Sequence, residues 1–312
     1  MSSGIITKTW PFLAIILAHS IWGVNFIVAK LTLQEIPPMS LAFLRFAIAS
    51  ILLSPFIFTT EEKIKIDKKD LPQLFGIGLL MVTLNIALFY AGLERTTISS
   101  ASVLTLTVPV ASVVAGWWIL KEKIYMVNLA GIALGVLGAL VILGTPLLSL
   151  DPKPSSEALL GNLLIVLASL AWVAGAIISK EMHKKYSTLT ITAVIFLIGV
   201  ITFLIPAIIE YLQNPAWVTQ VTTLGILGLV FIALASSVSA YFLFEWGLNK
   251  VGVVTADLFQ YLEPMIAGFL GVLVLREELK IPLVFGTILI GIGAYLSTLI
   301  KTSHKHHKAH RH

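Results

Sequence analysis

Apolar residues in this chain run in blocks of about twenty, not in the one-sided stripe of a soluble helix. Ten blocks stand out, at 10–29, 38–58, 71–92, 98–120, 127–144, 159–179, 187–209, 222–246, 254–275 and 281–300. A bilayer core of about 30 Å needs about 20 helical residues at ~1.5 Å each. The pattern predicts an all-α integral membrane protein with ten transmembrane helices. Membrane β-strands would alternate apolar and polar residues, and these blocks do not. The first block follows only Met1 to Thr9 and is too long for a signal-peptide core, so it is expected to remain as the first helix.

The pattern also repeats. Leu17, Ala18, Trp22, Ile27 and Lys30 match Leu167, Ala168, Trp172, Ile177 and Lys180 at a shift of 150. Gly92, Leu93, Ala101, Pro109, Gly116, Leu120 and Glu122 match Gly247, Leu248, Ala256, Pro264, Gly271, Leu275 and Glu277 at a shift of 155. Gly131, Gly138 and Ala139 match Gly286, Gly293 and Ala294 at that same shift. The chain thus divides into a first five-helix repeat (10–144), a linker (145–158, with DPKPSSE at 151–157), a second repeat (159–300) and a basic, His-rich tail (301–312). Five spans per copy force the second copy to enter the membrane inverted. Inverted repeats are characteristic of secondary transporters, whose site lies near the midplane where the halves meet.

Composition and charge agree with this reading. Hydrophobic residues make up 57% of the chain and charged residues 12%, about half the ~25% of soluble domains. With the N-terminus in the cytoplasm, fifteen Lys and Arg fall in inside segments and five outside (Lys30, Arg95, Lys153, Arg276 and Lys280). Both termini are therefore expected in the cytoplasm, with the chain crossing the plasma membrane, the inner membrane of a bacterial or archaeal cell. The net charge of +5 reports topology, and no basic folded face suggests a nucleic-acid partner. With no cysteine, disulfide and thiolate chemistry are excluded.

The segments AHSIWGVNFIVAK in span 1, LAFLRF in span 2, VPV…WWILKEKI in span 4 and LEPMIAGFLGVLVLREEL in span 9 resemble the EamA family of the drug/metabolite transporter superfamily. The resemblance covers nearly the whole chain. It implies a central cavity lined mainly by spans 1, 3, 4, 6, 8 and 9. It also implies export of amino acids, aromatic ones included, and of related metabolites. The direction of transport rests on the resemblance alone.

Glu263 sits near the middle of span 9, where a carboxylate costs about 2.5–3.5 kcal/mol. It is the leading candidate for proton coupling, with His19 and Glu245 as further candidates; the alternative is a protonated or paired Glu that only cross-links helices. Pro264 and Pro109 are expected to leave the carbonyls of Gln260 and Thr105 without helical partners, as hinges or as static kinks. Trp22 and Trp172, at matching places, are candidate cavity walls for a substrate of apolar or cationic character. Asn25, Asn85, Tyr90, Tyr241, Gln260 and Tyr261 complete the candidate substrate site, with interhelical packing as the other reading for each. Asp257 shares the face of span 9 with Gln260, Tyr261 and Pro264 but lies nearer the cytoplasmic end. Arg45 in span 2 is expected to snorkel outward, pair with a carboxylate or bind an anion. Gly131 and Gly135 allow close helix approach, within or between protomers.

The sequence therefore predicts a secondary active exporter of amino acids, aromatic or hydrophobic, or related amphipathic compounds. It would work by alternating access with proton antiport, and a monomer would suffice. Its partners are a small-molecule substrate, the bilayer and protons. A facilitative channel or uniporter, an exporter of cationic drugs and a membrane enzyme are the rivals. The chain has no HExxH, GxSxG or phosphate-binding Gly-Lys motif, so neither catalysis nor ATP drive is expected, and no cofactor or metal.

Overall fold

The computed structural model describes residues 3–59, 66–119, 125–148 and 156–275, with separate positions between 281 and 296. Expectations on Lys63, Lys65, Lys121, Glu122, Lys123, Lys153, Arg276, Glu277 and Lys280, most of the linker, most of span ten and the tail lie outside the described residues. Where no water can satisfy backbone groups, a helix satisfies them within itself, and helices are what the apolar blocks form. The order is α1 (Ser3–Thr32), α2 (Pro38–Thr59), a 3₁₀ turn (Lys68–Asp70), α3 (Leu71–Ile77), a π-helical stretch (Gly78–Leu84) and α4 (Asn85–Arg95). Then come α5 (Ile98–Leu104), α6 (Thr107–Trp118), α7 (Met126–Leu148), α8 (Ser156–Met182), α9 (Thr188–Gln213), α10 (Trp217–Gln220) and α11 (Thr223–Phe231). A second π-helical stretch (Ile232–Ser239), α12 (Ala240–Val251), α13 (Val253–Leu258), a 3₁₀ turn (Phe259–Tyr261) and α14 (Leu262–Leu275) follow.

Among the described residues, seven helices are long and apolar enough to cross a membrane. They coincide with expected spans 1, 2, 3, 6, 7, 8 and 9. Shorter apolar helices at Ser100–Gly116, Met126–Gly138 and Val284–Gly293 occupy expected spans 4, 5 and 10. Large apolar side chains such as Leu204, Ile205, Leu227, Phe269 and Leu273 are exposed on the outside. Such a surface suits lipid and would be an aggregation hazard in water.

Two irregularities recur. The third element of each half passes through a π-helical stretch, and in each a hydroxyl bonds the carbonyl five residues back: Thr83 to Gly78 and Ser237 to Ile232. The fourth element of each half breaks just before its proline. Neither break leaves the orphan carbonyl expected from sequence: Val108 N–H donates to Thr105 O at 2.9 Å, and Leu262 N–H donates to Gln260 O. Pro109 and Pro264 each stand in the first turn of a new helix, α6 and α14, where a missing N–H costs nothing. Packing is reciprocal as well. α1 lies along α12 as α8 lies along α4, α1 meets α14 as α8 meets α6, and α2 pairs with its own counterpart α9.

Lysine side chains repeat the same exchange. Lys30 Nζ donates to the carbonyls of Leu93, Glu94 and Thr96 at the end of α4. Lys180 Nζ donates to Leu248 and Asn249 at the end of α12. Each ammonium satisfies last-turn carbonyls and faces the negative end of a helix dipole. Gly131 and Gly135 serve contacts inside the protomer: a Cβ on Gly293 would stand 2.6 Å from Gly131 O and 2.8 Å from Gly135 N.

Candidate functional site

A cavity opens where α1, α2, α4, α8, α14 and the second π-helical stretch converge. Its wall includes His19, Trp22, Asn25, Arg45, Asn85, Trp172, Tyr241, Gln260 and Glu263. Of the residues singled out from sequence, His19, Trp22, Asn25, Asn85, Trp172, Tyr241, Gln260 and Glu263 meet here. Tyr90 lies fully buried behind Arg45, whose Nη1 donates to its hydroxyl at 2.8 Å. Tyr261 turns away into a small apolar cluster with Val103, Leu106, Val113, Ile132 and Leu258. Glu245 belongs to a separate buried group, accepting from Ser179 Oγ at 2.6 Å and contacting His183 Nε2 at 2.7 Å.

Four aromatic rings form one box. Trp22 and Trp172 touch edge to face, with centroids 5.2 Å apart and planes at 85°. Tyr241 lies 5.5 Å from Trp22 and 5.7 Å from Trp172, and Phe244 lies 5.4 Å and 5.0 Å from them. The irregular stretches hold the rings in place. Trp22 Nε1 donates to Ser236 O at 3.1 Å, in the second π-helical stretch, and Tyr241 Oη donates to Met81 O at 3.3 Å, in the first. Trp172 Nε1 reaches Asp257 Oδ1 at 3.4 Å, and Ser112 Oγ donates to the other oxygen of that carboxylate. π-helical segments often occur at functional sites, and here both tie down the box.

His19 and Glu263 are both buried and form the polar corner. His19 Nδ1 lies 2.8 Å from Glu263 Oε1, and Nε2 lies 3.1 Å from Ala256 O. A carbonyl oxygen only accepts, so Nε2 carries a hydrogen. Nδ1 and the carboxyl group then share one proton. It sits on the carboxyl in a neutral pair or on the ring in an ion pair. Without it, a ring lone pair would face a carboxylate.

Sequence reasoning left Arg45 without an assigned place, and the structure settles its contacts. It is 1% exposed, neither snorkels nor meets a carboxylate among the described residues, and bonds only hydroxyls. Nε donates to Ser237 Oγ at 2.8 Å and Nη2 to Ser236 Oγ at 3.4 Å. Phe26, Ile86, Phe89, Thr105, Val108, Ala168, Ser169 and Ser236 also line the cavity. Phe89 shares a stripe of span 3 with Asn85 and Tyr90, and Thr105 stands one turn before Pro109; the rest, ordinary packing residues by type, carried no signal of their own. Among the described residues no cluster of three His, Asp or Glu side chains could hold a metal.

The chain matches the EamA-like transporter family over residues 9–144 and 159–299. An uncharacterized transporter of Archaeoglobus fulgidus is 30% identical over 94% of this chain and 98% of its own. The uncharacterized transporter YoaV of Bacillus subtilis is 27% identical over 92% and 96%. A probable amino-acid metabolite efflux pump of Escherichia coli is 25% identical over 89% and 91%. A protein of known crystal structure shares the fold with a TM-score of 0.74, at 18% identity, over 93% of this chain and 96% of that one.

Proposed function

The chain belongs to the EamA-like transporter family, a multi-pass membrane protein, and on that premise we propose that it is a secondary active exporter of amino acids driven by proton antiport. In this reading ten helices form two inverted five-helix halves, with both termini on the cytoplasmic side of the cell's plasma or inner membrane. The recurring π-helical stretches, the matched breaks and the reciprocal packing support that architecture. Substrate occupies the cavity between the halves, and the halves rock about it to expose it to each side in turn. A single chain is sufficient.

The observation that carries the proposal is the buried His19–Glu263 pair on the cavity wall beside Trp22. Its one shared proton is the coupling element. A proton entering from outside closes the contact and leaves the pair neutral. Substrate arriving from the cytoplasm with a positive amino group competes for the same corner, and the proton leaves to the inside as substrate moves out. The aromatic box favours hydrophobic or aromatic side chains. The efflux pump similar to this chain supports amino acids as the substrate class.

The test is transport in proteoliposomes with Glu263→Gln. The amide still reaches His19 Nδ1 but exchanges no proton. Counterflow of L-phenylalanine should persist while flux driven by a pH gradient disappears. Unchanged gradient-driven flux would remove Glu263 from the coupling role.

A further inference from the structure

We propose that Arg45 anchors the substrate's carboxylate, so that the cavity takes amino acids as zwitterions and rejects amines of the same shape. This rests on the amino-acid reading above and adds the chemical group by which substrates are selected.

Arg45 is a cation held almost wholly out of water, deep in an apolar fold. Buried charges are ordinarily paired, since an unpaired one is costly. Here its three hydrogen bonds go to neutral hydroxyls, of Ser237, Tyr90 and Ser236, and the Phe46 ring centroid lies 4.9 Å from its Cζ, so no anion meets it among the described residues. The guanidinium has five N–H groups. Three are used, and among the described residues nothing accepts from the second hydrogen of either Nη1 or Nη2. Those two nitrogens are the edge that matches a carboxylate in a two-pronged hydrogen bond. Arg45 also lines the cavity itself.

A second observation concerns the other end of such a ligand. Asn25 Oδ1 and Gln260 Oε1 are buried side-chain acceptors with no partner, and both residues line the same cavity. Asn25 is 6% exposed and Gln260 7%. Unpaired acceptors in a wall are what an ammonium group requires. Ser236 ties the aromatic box to Arg45, because its carbonyl holds Trp22 and its hydroxyl holds Arg45. The cavity therefore offers spare donors on Arg45, spare acceptors on Asn25 and Gln260, and an aromatic surface between elements of both halves. An α-amino acid has that sequence of groups. A cationic drug would leave Arg45 facing like charge.

The experiment is competition against labelled L-phenylalanine and L-leucine counterflow in proteoliposomes. The competitors are L-phenylalanine, L-phenylalaninamide, 2-phenylethylamine and 3-phenylpropionate. In the unaltered protein, removing the carboxylate should weaken competition by about 10- to 100-fold, the range of a charge-assisted hydrogen bond. In Arg45→Gln, L-phenylalanine should weaken by a similar factor while 2-phenylethylamine changes little. Arg45→Lys should recover part of the loss. Equal competition by amide and amino acid in the unaltered protein would overturn the assignment while leaving the exporter reading intact, and that arm needs no variant to fold. Equal weakening of acid and amine in Arg45→Gln would make Arg45 a structural cross-link and likewise overturn it. Exchange of amines without exchange of either amino acid would overturn both readings.

Discussion

Glu263 shows how one residue acquires a role from its surroundings. Alone in an apolar span it is a cost of about 2.5–3.5 kcal/mol. Against His19, with Nε2 committed to Ala256 O, it becomes half of a pair that holds one proton. His19→Gln should therefore abolish gradient-driven flux as Glu263→Gln does, with counterflow retained in both. Trp172 can be read the same way. Trp172→Ala removes ring contacts to Trp22, Tyr241 and Phe244, and should weaken L-phenylalanine competition about tenfold, or ~1.4 kcal/mol. Trp22, Trp172 and Glu263 stood out in the sequence because a large or charged residue at a fixed place in a span is costly or conspicuous. Arg45 stood out equally, yet its partners did not. Ser236 and Ser237 look like ordinary small residues until the π-helical stretch aims them at it. Spacing alone also could not separate Tyr90 and Tyr261, which turn away from the cavity, from Tyr241, which lines it.

Between elements, close approach and end-capping set the geometry. α1 and α14 meet at Gly23, where an added Cβ would stand 2.9 Å from Ile266 Cβ and 3.3 Å from Glu263 Cα. Gly23→Val should destabilise by about 1–3 kcal/mol through overpacking and pull Glu263 from His19; thermal unfolding in detergent and gradient-driven flux both measure this. Lys30→Met and Lys180→Met should each cost about 1–2 kcal/mol, as last-turn carbonyls lose a charged donor. At the ends, Glu35 accepts the N–H of Thr222 at 2.7 Å and its hydroxyl at 2.9 Å. In the matching place of the other half, Lys185 donates to Asp70 at 2.8 Å, and Tyr186 joins it at 2.8 Å. The hydrogen bond to Asp70 holds the Lys185 ammonium above the usual lysine range. A raised folded value means this contact contributes fully below the unfolded value near ~10.4 and is lost as pH rises past the folded one. Melting curves should show a strongly alkaline loss of stability that Lys185→Met reduces. Apolar periodicity made the long spans legible. It was blind to the breaks at Thr105 and Phe259, because 3₁₀ and π-helical turns keep the same apolar composition as the α-helix they interrupt.

For the molecule as a whole, the internal match of 150 to 155 residues already indicated two copies. The structure adds a kind of evidence that the sequence lacked. Lys30 and Lys180, unremarkable as single charges, make the same contact in each copy. The aromatic box draws Trp22 from one half and Trp172 from the other, so the cavity exists only where the halves meet. The proposed coupling and substrate selection both require those halves to face opposite ways. The chain has no cysteine, so single introduced thiols report without background. Gln34 and Lys184, both exposed, follow α1 and α8, the first helix of each half. In right-side-out vesicles a membrane-impermeant maleimide should modify Gln34→Cys directly, and Lys184→Cys only once the membrane is opened. Modification of both from the same face would contradict the opposed halves, and with them the cavity between.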